Sequence, residues 1–162
     1  MIEIAKKLYI GDLNAYLVNV NSGNLAFVHA TQTIHYRIMG WDRRFNKPNK
    51  NHPNYIYWEK DNRLSLNWVD GEAFLYNWSG QITFIKVLNF IENWINIKEI
   101  LIHCDQGQSR SPTLRLLFLA KRRGILPNNT YSDAYKEFIK LYLAYQPGGI
   151  GEYVNIHWEE IA

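Results

Sequence analysis

The sequence predicts an α/β fold with a central, mainly parallel sheet flanked by helices. Three observations support this prediction. Residues 24–30 are nearly continuous in apolar side chains, as expected for a buried strand. Residues 81–97 carry apolar side chains at every third or fourth position, the pattern of an amphipathic helix. Residues 99–103 are a short apolar run followed at once by a polar turn, and strands that alternate with helices favour a parallel sheet.

The helix predicted at 81–97 is expected to cover one face of the sheet. Two further short strands are predicted. One lies at 7–11, and the other at 63–69, where apolar and polar residues alternate. The helical side chains predicted to share the buried face are Ile82, Ile85, Leu88, Ile91 and Ile95.

Three more helices are predicted towards the C-terminus. Pro112 is tolerated in the first turn of a helix and marks the start of the first one, and Gly124 marks its end. Thr130 resembles an N-cap for the second, which is predicted to continue up to Pro147. A last short helix is predicted at 152–160. The side chains expected to be buried in the first two are Leu114, Leu117, Phe118, Ala134, Phe138, Leu141 and Tyr145.

A chain of 162 residues, 47% hydrophobic and 20% charged, has the size and composition of one folded domain, which is predicted to span 1–162. The segment 37–63 is rich in basic residues, asparagine, proline and aromatics and is predicted to be an irregular excursion. The first eight residues include Glu3, Lys6 and Lys7, so they lack the apolar core of a secretion signal, and no apolar run reaches the length of a membrane span. A cytoplasmic location is therefore expected.

The strongest chemical signal is residues 103–111, which read His-Cys-Asp-Gln-Gly-Gln-Ser-Arg-Ser. Cys104, the single cysteine of the sequence, and Arg110 are separated by five residues in a predicted loop between a strand and a helix. Ligands of open α/β sheets bind at the carboxyl ends of strands, and this loop begins at such an end. It is therefore the predicted functional site.

A loop of this kind suits a tetrahedral anion such as phosphate. Its backbone N–H groups and the positive N-terminal end of the following helix attract an anion. Arg110 can grip two phosphate oxygens at once, a geometry that lysine does not reproduce. The same dipoles and charge favour the thiolate of Cys104, which is the nucleophilic form. The residues predicted to bind phosphate are Asp105, Gln106, Gly107, Gln108, Ser109 and Arg110.

Two residues that flank the loop are predicted to assist. Ser111 is positioned in the sequence to donate its hydroxyl proton to the Cys104 sulfur when that sulfur leaves in a second chemical step. His103 is expected to orient the loop rather than to bind a ligand. The other histidines lack the spacing of metal ligands, and neither a metal nor a cofactor is expected. They are His29, His35, His52 and His157.

The run 103–111 resembles the signature His-Cys-x5-Arg-Ser of protein tyrosine phosphatases, and its glycine and Ser-Arg-Ser are most similar to the dual-specificity branch. Residues 8–11, Leu-Tyr-Ile-Gly, look like the opening strand of that branch, and the order helix, strand, helix around Cys104 is also similar. The resemblance implies a phosphatase that forms a phosphocysteine intermediate. Pro112, where many relatives carry a small residue, and the segment 37–63 depart from the family pattern.

The leaving oxygen of a phosphate ester needs a proton, so this chemistry calls for a carboxylic acid near the thiolate. In the dual-specificity branch this acid is an aspartate upstream of the cysteine, and the resemblance assigns the role to Asp70, which precedes Cys104 by 34 residues. Asp61, 43 residues upstream, is the nearest rival, but its charged neighbours are typical of a solvated turn. A turn-forming or helix-capping role for Asp70, before Gly71, is the alternative.

The predicted activity is hydrolysis of phosphate monoesters, in which Cys104 attacks phosphorus and Asp70 first donates and then accepts a proton. Phosphotyrosine, phosphoserine or phosphothreonine in a protein, or a small phosphorylated molecule, is the expected substrate. A second hypothesis keeps the chemistry and takes a phosphoinositide or an RNA 5′-triphosphate as substrate. A phosphate-binding module with little turnover is a third. A sulfurtransferase is a weaker fourth, because that reaction does not call for the Arg-Ser pair or a distant acid.

The excursion at 37–63 leaves the choice of substrate open. Its basic side chains suit an acidic phosphorylated substrate or RNA, but a solvated loop is the favoured interpretation. The net charge of +3 is compatible with anionic substrates and does not require nucleic acid. The basic residues concerned are Arg37, Arg43, Arg44, Lys47 and Lys50.

Overall fold

The computed structural model describes residues 2–5 and 7–162, with side chains described from Lys7 onward. Met1 and Lys6, which the predicted domain includes, lie outside the described residues. The strands are β1 (Ile2–Ala5), β2 (Leu8–Gly11), β3 (Leu25–His29), β4 (Tyr57–Lys60), β5 (Arg63–Leu66) and β6 (Glu99–His103).

These strands form one sheet in the order β1-β2-β6-β3-β5-β4. The four inner strands β2, β6, β3 and β5 are parallel. Only the edge strands β1 and β4 run antiparallel to their neighbours in the described sheet. The predicted α/β class with a mainly parallel sheet is confirmed.

The helices are α1 (Leu13–Asn19), α2 (Gln32–Met39), α3 (Gly80–Trp94), α4 (Arg110–Lys121), α5 (Tyr131–Leu141) and α6 (Gly148–Ile156). A 3₁₀ turn, Ala73–Tyr76, lies between β5 and α3. Within residues 2–5 and 7–162, no helix is long and apolar enough to cross a membrane.

The sheet is covered on both faces, which explains why β3 and β6 are mostly apolar. On one face Phe27 and Leu101 pack with Tyr16 of α1 and Ile34 of α2. On the other face the larger core joins the strands to α3, α4, α5 and α6; it includes Ile100, Ile102, Val87, Leu88, Leu117, Phe138 and Val154. Successive side chains of a strand point to opposite faces, so β6 contributes to both cores.

The buried face of α3 differs from the prediction at one end. Leu88 and Ile91 are buried as expected, but Ile82 is 75% exposed. The face that packs on the sheet is instead centred on Phe84 and Val87, because the helix begins at Gly80 and its first turn presents Ile82 to solvent. Leu141, the last residue of α5, is also exposed rather than buried.

Both of the last two helices end earlier than predicted, and the last one also begins earlier. Helix α5 stops at Leu141 rather than near Pro147, and α6 spans Gly148–Ile156 rather than 152–160. Glycine has low helix propensity, so the Gly-rich start of α6 does not read as helical, but tertiary packing stabilises it there. The sequence analysis did not predict β1, α1, α2 or β4.

Part of the predicted excursion 37–63 is regular structure. Residues 37–39 complete α2, and residues 57–60 and 63 belong to the antiparallel pair of β4 and β5. The irregular part is therefore 40–56. It connects α2 to β4.

Candidate active site

The loop from Cys104 to Ser109 joins β6 to α4 at the carboxyl edge of the sheet. The ends of the two neighbouring strands hold it in place. The Cys104 N–H donates to the Gly11 carbonyl at 3.3 Å, and the His103 carbonyl accepts from the Ala30 N–H at 2.9 Å. β6 lies between β2 and β3, which are followed by α1 and α2. Since parallel strands end at the same edge, the loop after β6 lies between the starts of these two helices.

Gly107 is at the point where the loop turns most tightly. Its φ is +73°, a conformation that side chains with a Cβ rarely adopt, and an added Cβ would lie 3.1 Å from the Gly11 carbonyl carbon. Its carbonyl accepts a hydrogen bond of 2.6 Å from the Tyr142 hydroxyl. The glycine therefore allows the curled loop and its contact with β2.

The sulfur of Cys104 lies inside this curl and is surrounded by donors. The N–H groups of Gly107 and Ser111 point at it, at 3.3 and 3.5 Å, and the Ser111 Oγ lies 3.3 Å away. The Ser111 hydroxyl also lies 3.3 Å from the Gly11 carbonyl, so its single proton can go to either partner. An anionic sulfur is stabilised by such an arrangement.

Arg110 is the first residue of α4 and is 4% exposed. One terminal nitrogen donates to the Trp68 carbonyl at 2.9 Å, and the other lies 3.6 Å from the Asp105 carboxylate. Its Nε has no partner among the residues that the structure describes and is buried. The Trp68 carbonyl therefore orients Arg110, and the Nε–H of Arg110 is left as a donor for a ligand.

A cavity of about 130 Å³ brings together residues that are distant in the sequence. Four of the predicted phosphate-binding residues line it with Cys104, and so does Asp70. Asp61 instead occupies the exposed turn between β4 and β5, where its φ is +52°. The lining residues are Asp70, Cys104, Gln106, Gln108, Ser109, Arg110, Gln146 and Gly148.

Asp105 has a different environment from the other loop residues. Its carboxylate accepts a 2.6 Å hydrogen bond from the Thr31 hydroxyl, at the N-cap of α2, and lies 3.5 Å from the Thr33 hydroxyl. With the contact to Arg110, these bonds tie the loop to α2. The Asp105 side chain therefore anchors the loop, and its own carbonyl accepts from the Leu13 N–H at 3.1 Å.

His103 is fully buried behind the loop, in a network that the sequence analysis did not foresee. Its ring stacks on Tyr16 at 4.7 Å, and its Nε2 lies 2.6 Å from the Nδ1 of His29. Arg63 donates to the Nε2 of His29 at 3.0 Å, so His29 carries its proton on Nδ1 and donates to His103. Burial lowers the pKa of His103 to about 3, so the ring is neutral, with its proton on Nδ1.

The segment before α6 contacts the loop from Cys104 to Ser109. The Gln146 N–H donates to the Gln108 carbonyl at 2.7 Å. The Pro147 carbonyl accepts from the Ser109 hydroxyl at 2.9 Å. Gln146 and Gly148 are site residues that the sequence analysis missed. The sequence signal that could have found them is the Pro-Gly-Gly turn, which was treated only as the end of a helix.

Gly149, one residue further, packs directly on the backbone after Asp70. A Cβ at this position would collide with the Gly71 carbonyl and would lie 2.6 Å from the carbonyl carbon of Glu72. The start of α6 therefore contacts both loops, and the absence of a side chain sets how closely the Asp70 loop approaches the cavity.

Comparison with solved structures identifies the fold. A leucine rich repeat and phosphatase domain containing protein from Entamoeba histolytica superposes with a TM-score of 0.62 at 15% identity, covering 98% of this chain and 90% of that one. Human DUSP28 gives 0.61 at 16% identity, with coverage of 98% and 91%. PTPMT1 in complex with PI(5)P gives 0.59 at 15% identity, with coverage of 99% and 95%. No protein-family model matches the sequence, and no curated protein does. The chain therefore has the fold of the dual-specificity branch of the protein tyrosine phosphatases.

Proposed function

We propose that the protein is a cysteine-dependent phosphatase that hydrolyses phosphate monoesters through a phosphocysteine intermediate. One observation carries the proposal: a buried sulfur with three donors around it shares a small cavity with a fixed guanidinium group and a carboxyl group. These are a nucleophile, a phosphate-binding group and a proton donor, which together are what the reaction requires.

In the first step the Cys104 thiolate attacks phosphorus, and the bond from phosphorus to the ester oxygen breaks. Asp70 transfers its proton to that oxygen, so an alcohol or phenol leaves. Arg110 and the N–H groups of the loop bind the equatorial oxygens, on which negative charge is spread in the transition state. The carbonyl of Trp68 keeps Arg110 in place for this role.

In the second step water attacks phosphorus, and Asp70, now a carboxylate, accepts its proton. The phosphorus–sulfur bond breaks, and the electron pair returns to sulfur. The Ser111 hydroxyl, 3.3 Å from the sulfur, can turn its proton from the Gly11 carbonyl towards the departing thiolate and stabilise it. Inorganic phosphate is released and the thiolate is restored.

The substrate class is a phosphorylated protein or a small phosphorylated molecule. A phosphoinositide is the second candidate, since PTPMT1, with the same fold, was solved with PI(5)P. The presence of an acid in the cavity argues against a phosphate-binding module without turnover. A panel of phosphotyrosine and phosphothreonine peptides, PI(5)P and 5′-triphosphorylated RNA, assayed with the purified protein, identifies the preferred substrate.

Replacing Asp70 by asparagine is expected to slow hydrolysis of alkyl phosphates far more than that of aryl phosphates with good leaving groups. An activated phenoxide leaves without a proton, whereas an alkoxide does not. A loss of roughly 10²–10⁴-fold on the alkyl ester is the scale of general acid catalysis. Initial rates on p-nitrophenyl phosphate and on a phosphothreonine peptide measure the difference.

Asp61→Asn is the matched control, because Asp61 is an exposed aspartate in the turn between β4 and β5. Its rates on both substrates should equal those of the wild type. A selective loss in this variant, or an equal loss on both substrates in Asp70→Asn, would show that the acid is misassigned.

Replacing Gly149 by alanine is expected to reproduce part of the Asp70→Asn phenotype. The added methyl group must displace either α6 or the Asp70 loop, and a shift of about 1 Å in a catalytic group can cost on the order of 10²-fold. The kcat on alkyl phosphates should fall more than that on aryl phosphates. Gly23→Ala is the control, since a Cβ there meets nothing within 4 Å. Equal losses on both substrates would mean that Gly149 supports the fold only.

A further inference from the structure

Tyr142 connects the end of α5 to the loop after β6. Its hydroxyl donates a hydrogen bond of 2.6 Å to the Gly107 carbonyl. The residue itself is well fixed, because its N–H donates to the Phe138 carbonyl at 3.0 Å and its own carbonyl accepts from the Tyr145 N–H at 3.2 Å. Tyr142 belongs to the main core, whereas other residues line the active-site cavity. The Gly107 carbonyl therefore points into the protein, away from the cavity.

The direction of this carbonyl determines the direction of the next N–H group. In a trans peptide unit the C=O and N–H groups point in opposite directions, and no peptide bond of the described chain is cis. Since the Gly107 carbonyl faces Tyr142, the N–H of Gln108 in the same peptide unit faces the opposite way. Gln108 lines the cavity, so its N–H is placed to meet an anion there.

A peptide unit earlier in the loop is held in a similar way, but by the backbone of α1. The Leu13 N–H donates to the Asp105 carbonyl at 3.1 Å. This turns the Gln106 N–H in the opposite direction, and Gln106 also lines the cavity. The two N–H groups therefore depend on different partners, one on a backbone donor and the other on the hydroxyl of Tyr142.

The peptide unit between Gly107 and Gln108 is free to rotate if nothing holds it. Gly107 has a φ of +73° and no Cβ, so a large change in its ψ meets little steric resistance. Half a turn of this unit would bring the carbonyl oxygen to the place of the N–H. The partial negative charge of that oxygen would then face an anionic ligand. The hydrogen bond from Tyr142 stabilises the orientation that suits phosphate.

The Tyr142 hydroxyl is suited to be a permanent donor. Burial, with smaller effects of Cys104 and Asp12, raises the pKa of Tyr142 above its ordinary value, so the phenol keeps its proton at neutral pH. Arg115 of α4 opposes this shift. Arg115 is fully buried, and its guanidinium nitrogens have no hydrogen-bond partner within the described chain. A positive charge near the phenol makes its O–H a stronger donor to the Gly107 carbonyl.

We propose that Tyr142 is a positioning residue, whose hydroxyl holds the peptide unit of Gly107 and Gln108 so that the Gln108 N–H binds a phosphate oxygen. Tyr142 acts on the substrate only through this peptide unit. The N–H is one of the donors to the equatorial oxygens of the transition state, so its loss weakens both phosphate binding and turnover. The inference rests on the proposed phosphatase function and adds a residue to its site.

Tyr142→Phe tests the proposal, because it removes the hydroxyl and keeps the ring. We expect kcat/KM on p-nitrophenyl phosphate to fall by about tenfold or more, since loss of one donor to a developing oxyanion costs up to roughly 10²–10³-fold. The affinity for inorganic phosphate should fall as well. Initial rates and calorimetric titration with inorganic phosphate measure the two quantities.

The amide NMR signals of the loop separate positioning from a general loss of structure. A hydrogen bond to an anion moves an amide proton downfield, so inorganic phosphate should shift the Gln106 and Gln108 signals of the wild-type protein. In Tyr142→Phe the shift at Gln108 should be lost or much reduced. The shift at Gln106 should remain, because the Leu13 N–H still holds its peptide unit.

Tyr145→Phe is the matched control. The Tyr145 hydroxyl is also buried, but its partners are the Thr113 hydroxyl at 2.7 Å and the Tyr131 hydroxyl at 3.0 Å, which lie outside the loop. This variant should lose thermal stability and retain the wild-type kcat/KM and both amide shifts.

The proposal is overturned if Tyr142→Phe binds phosphate and shifts the Gln108 amide as the wild type does, or if Tyr142→Phe and Tyr145→Phe lower kcat/KM equally. Equal loss of the Gln106 and Gln108 shifts would also overturn it, since Tyr142 would then support the fold of the whole loop. The two proposals can fail separately. Normal turnover by Tyr142→Phe removes only this inference. The phosphatase function is removed if the wild type shows the expected amide shifts with phosphate, lost at Gln108 in Tyr142→Phe, but hydrolyses no phosphate ester.

Discussion

Cys104→Ser is expected to abolish turnover while phosphate binding remains. A serine hydroxyl is much less acidic than a thiol, so the substitution removes the proposed nucleophile but keeps the loop and Arg110. By analogy with other catalytic nucleophiles, the loss should be on the order of 10⁵-fold or more in kcat. The rate on p-nitrophenyl phosphate and calorimetric titration with inorganic phosphate measure the two quantities.

A direct observation of the intermediate separates this role from a structural one. The wild-type protein, quenched in acid during turnover of a ³²P-labelled substrate, should carry label on its single cysteine. The Cys104→Ser protein should carry none. Activity in this variant above a trace, or label at another residue, would refute the assignment of Cys104 as nucleophile.

Arg110→Lys should lose most of the activity even though the positive charge is retained. Lysine has neither the planar pair of donors for two phosphate oxygens nor the geometry that lets one nitrogen donate to the Trp68 carbonyl while the others face the cavity. A loss of roughly 10³-fold in kcat/KM is expected, on the scale of arginine contacts to a transferring phosphoryl group.

Arg123→Lys is the matched control for this variant. Arg123 lies just after α4 and pairs with Glu92 at 3.1 Å on the surface, so its replacement should leave kcat/KM unchanged. A near-normal rate in Arg110→Lys would assign Arg110 a purely structural role as the link between Trp68 and Asp105.

Local features of the site could be predicted from the sequence because their geometry is set within one short stretch. β6, the loop and α4 follow one another directly, so the spacing of Cys104 and Arg110 determines that both face the inside of one turn. Gly107 is in the same stretch, and its positive φ is the reason that a glycine occurs there. The fold class could also be predicted, since it follows from the alternation of buried strands and amphipathic helices.

Short or atypical elements were missed because their local signals are weak. α1 and α2 are helices of seven and eight residues, too short to show a clear repeat, although Asp12 and Thr31 cap them. α6 begins with glycines that disfavour a helix in isolation. Its position depends on Gly149 packing against the Asp70 loop, a contact between residues almost eighty positions apart.

The sequence by itself predicted the fold class, a candidate chemistry for the loop at 104–110 and, through resemblance, the candidate acid Asp70. Only the tertiary structure decided that Gln146 and Gly148 line the cavity and that His103 contacts His29 behind the loop. The physical reason is the range of the interactions. Backbone geometry and helix dipoles act over a few residues and can be recognised in the sequence, whereas contacts between segments depend on how the strands are ordered and how the helices pack on them.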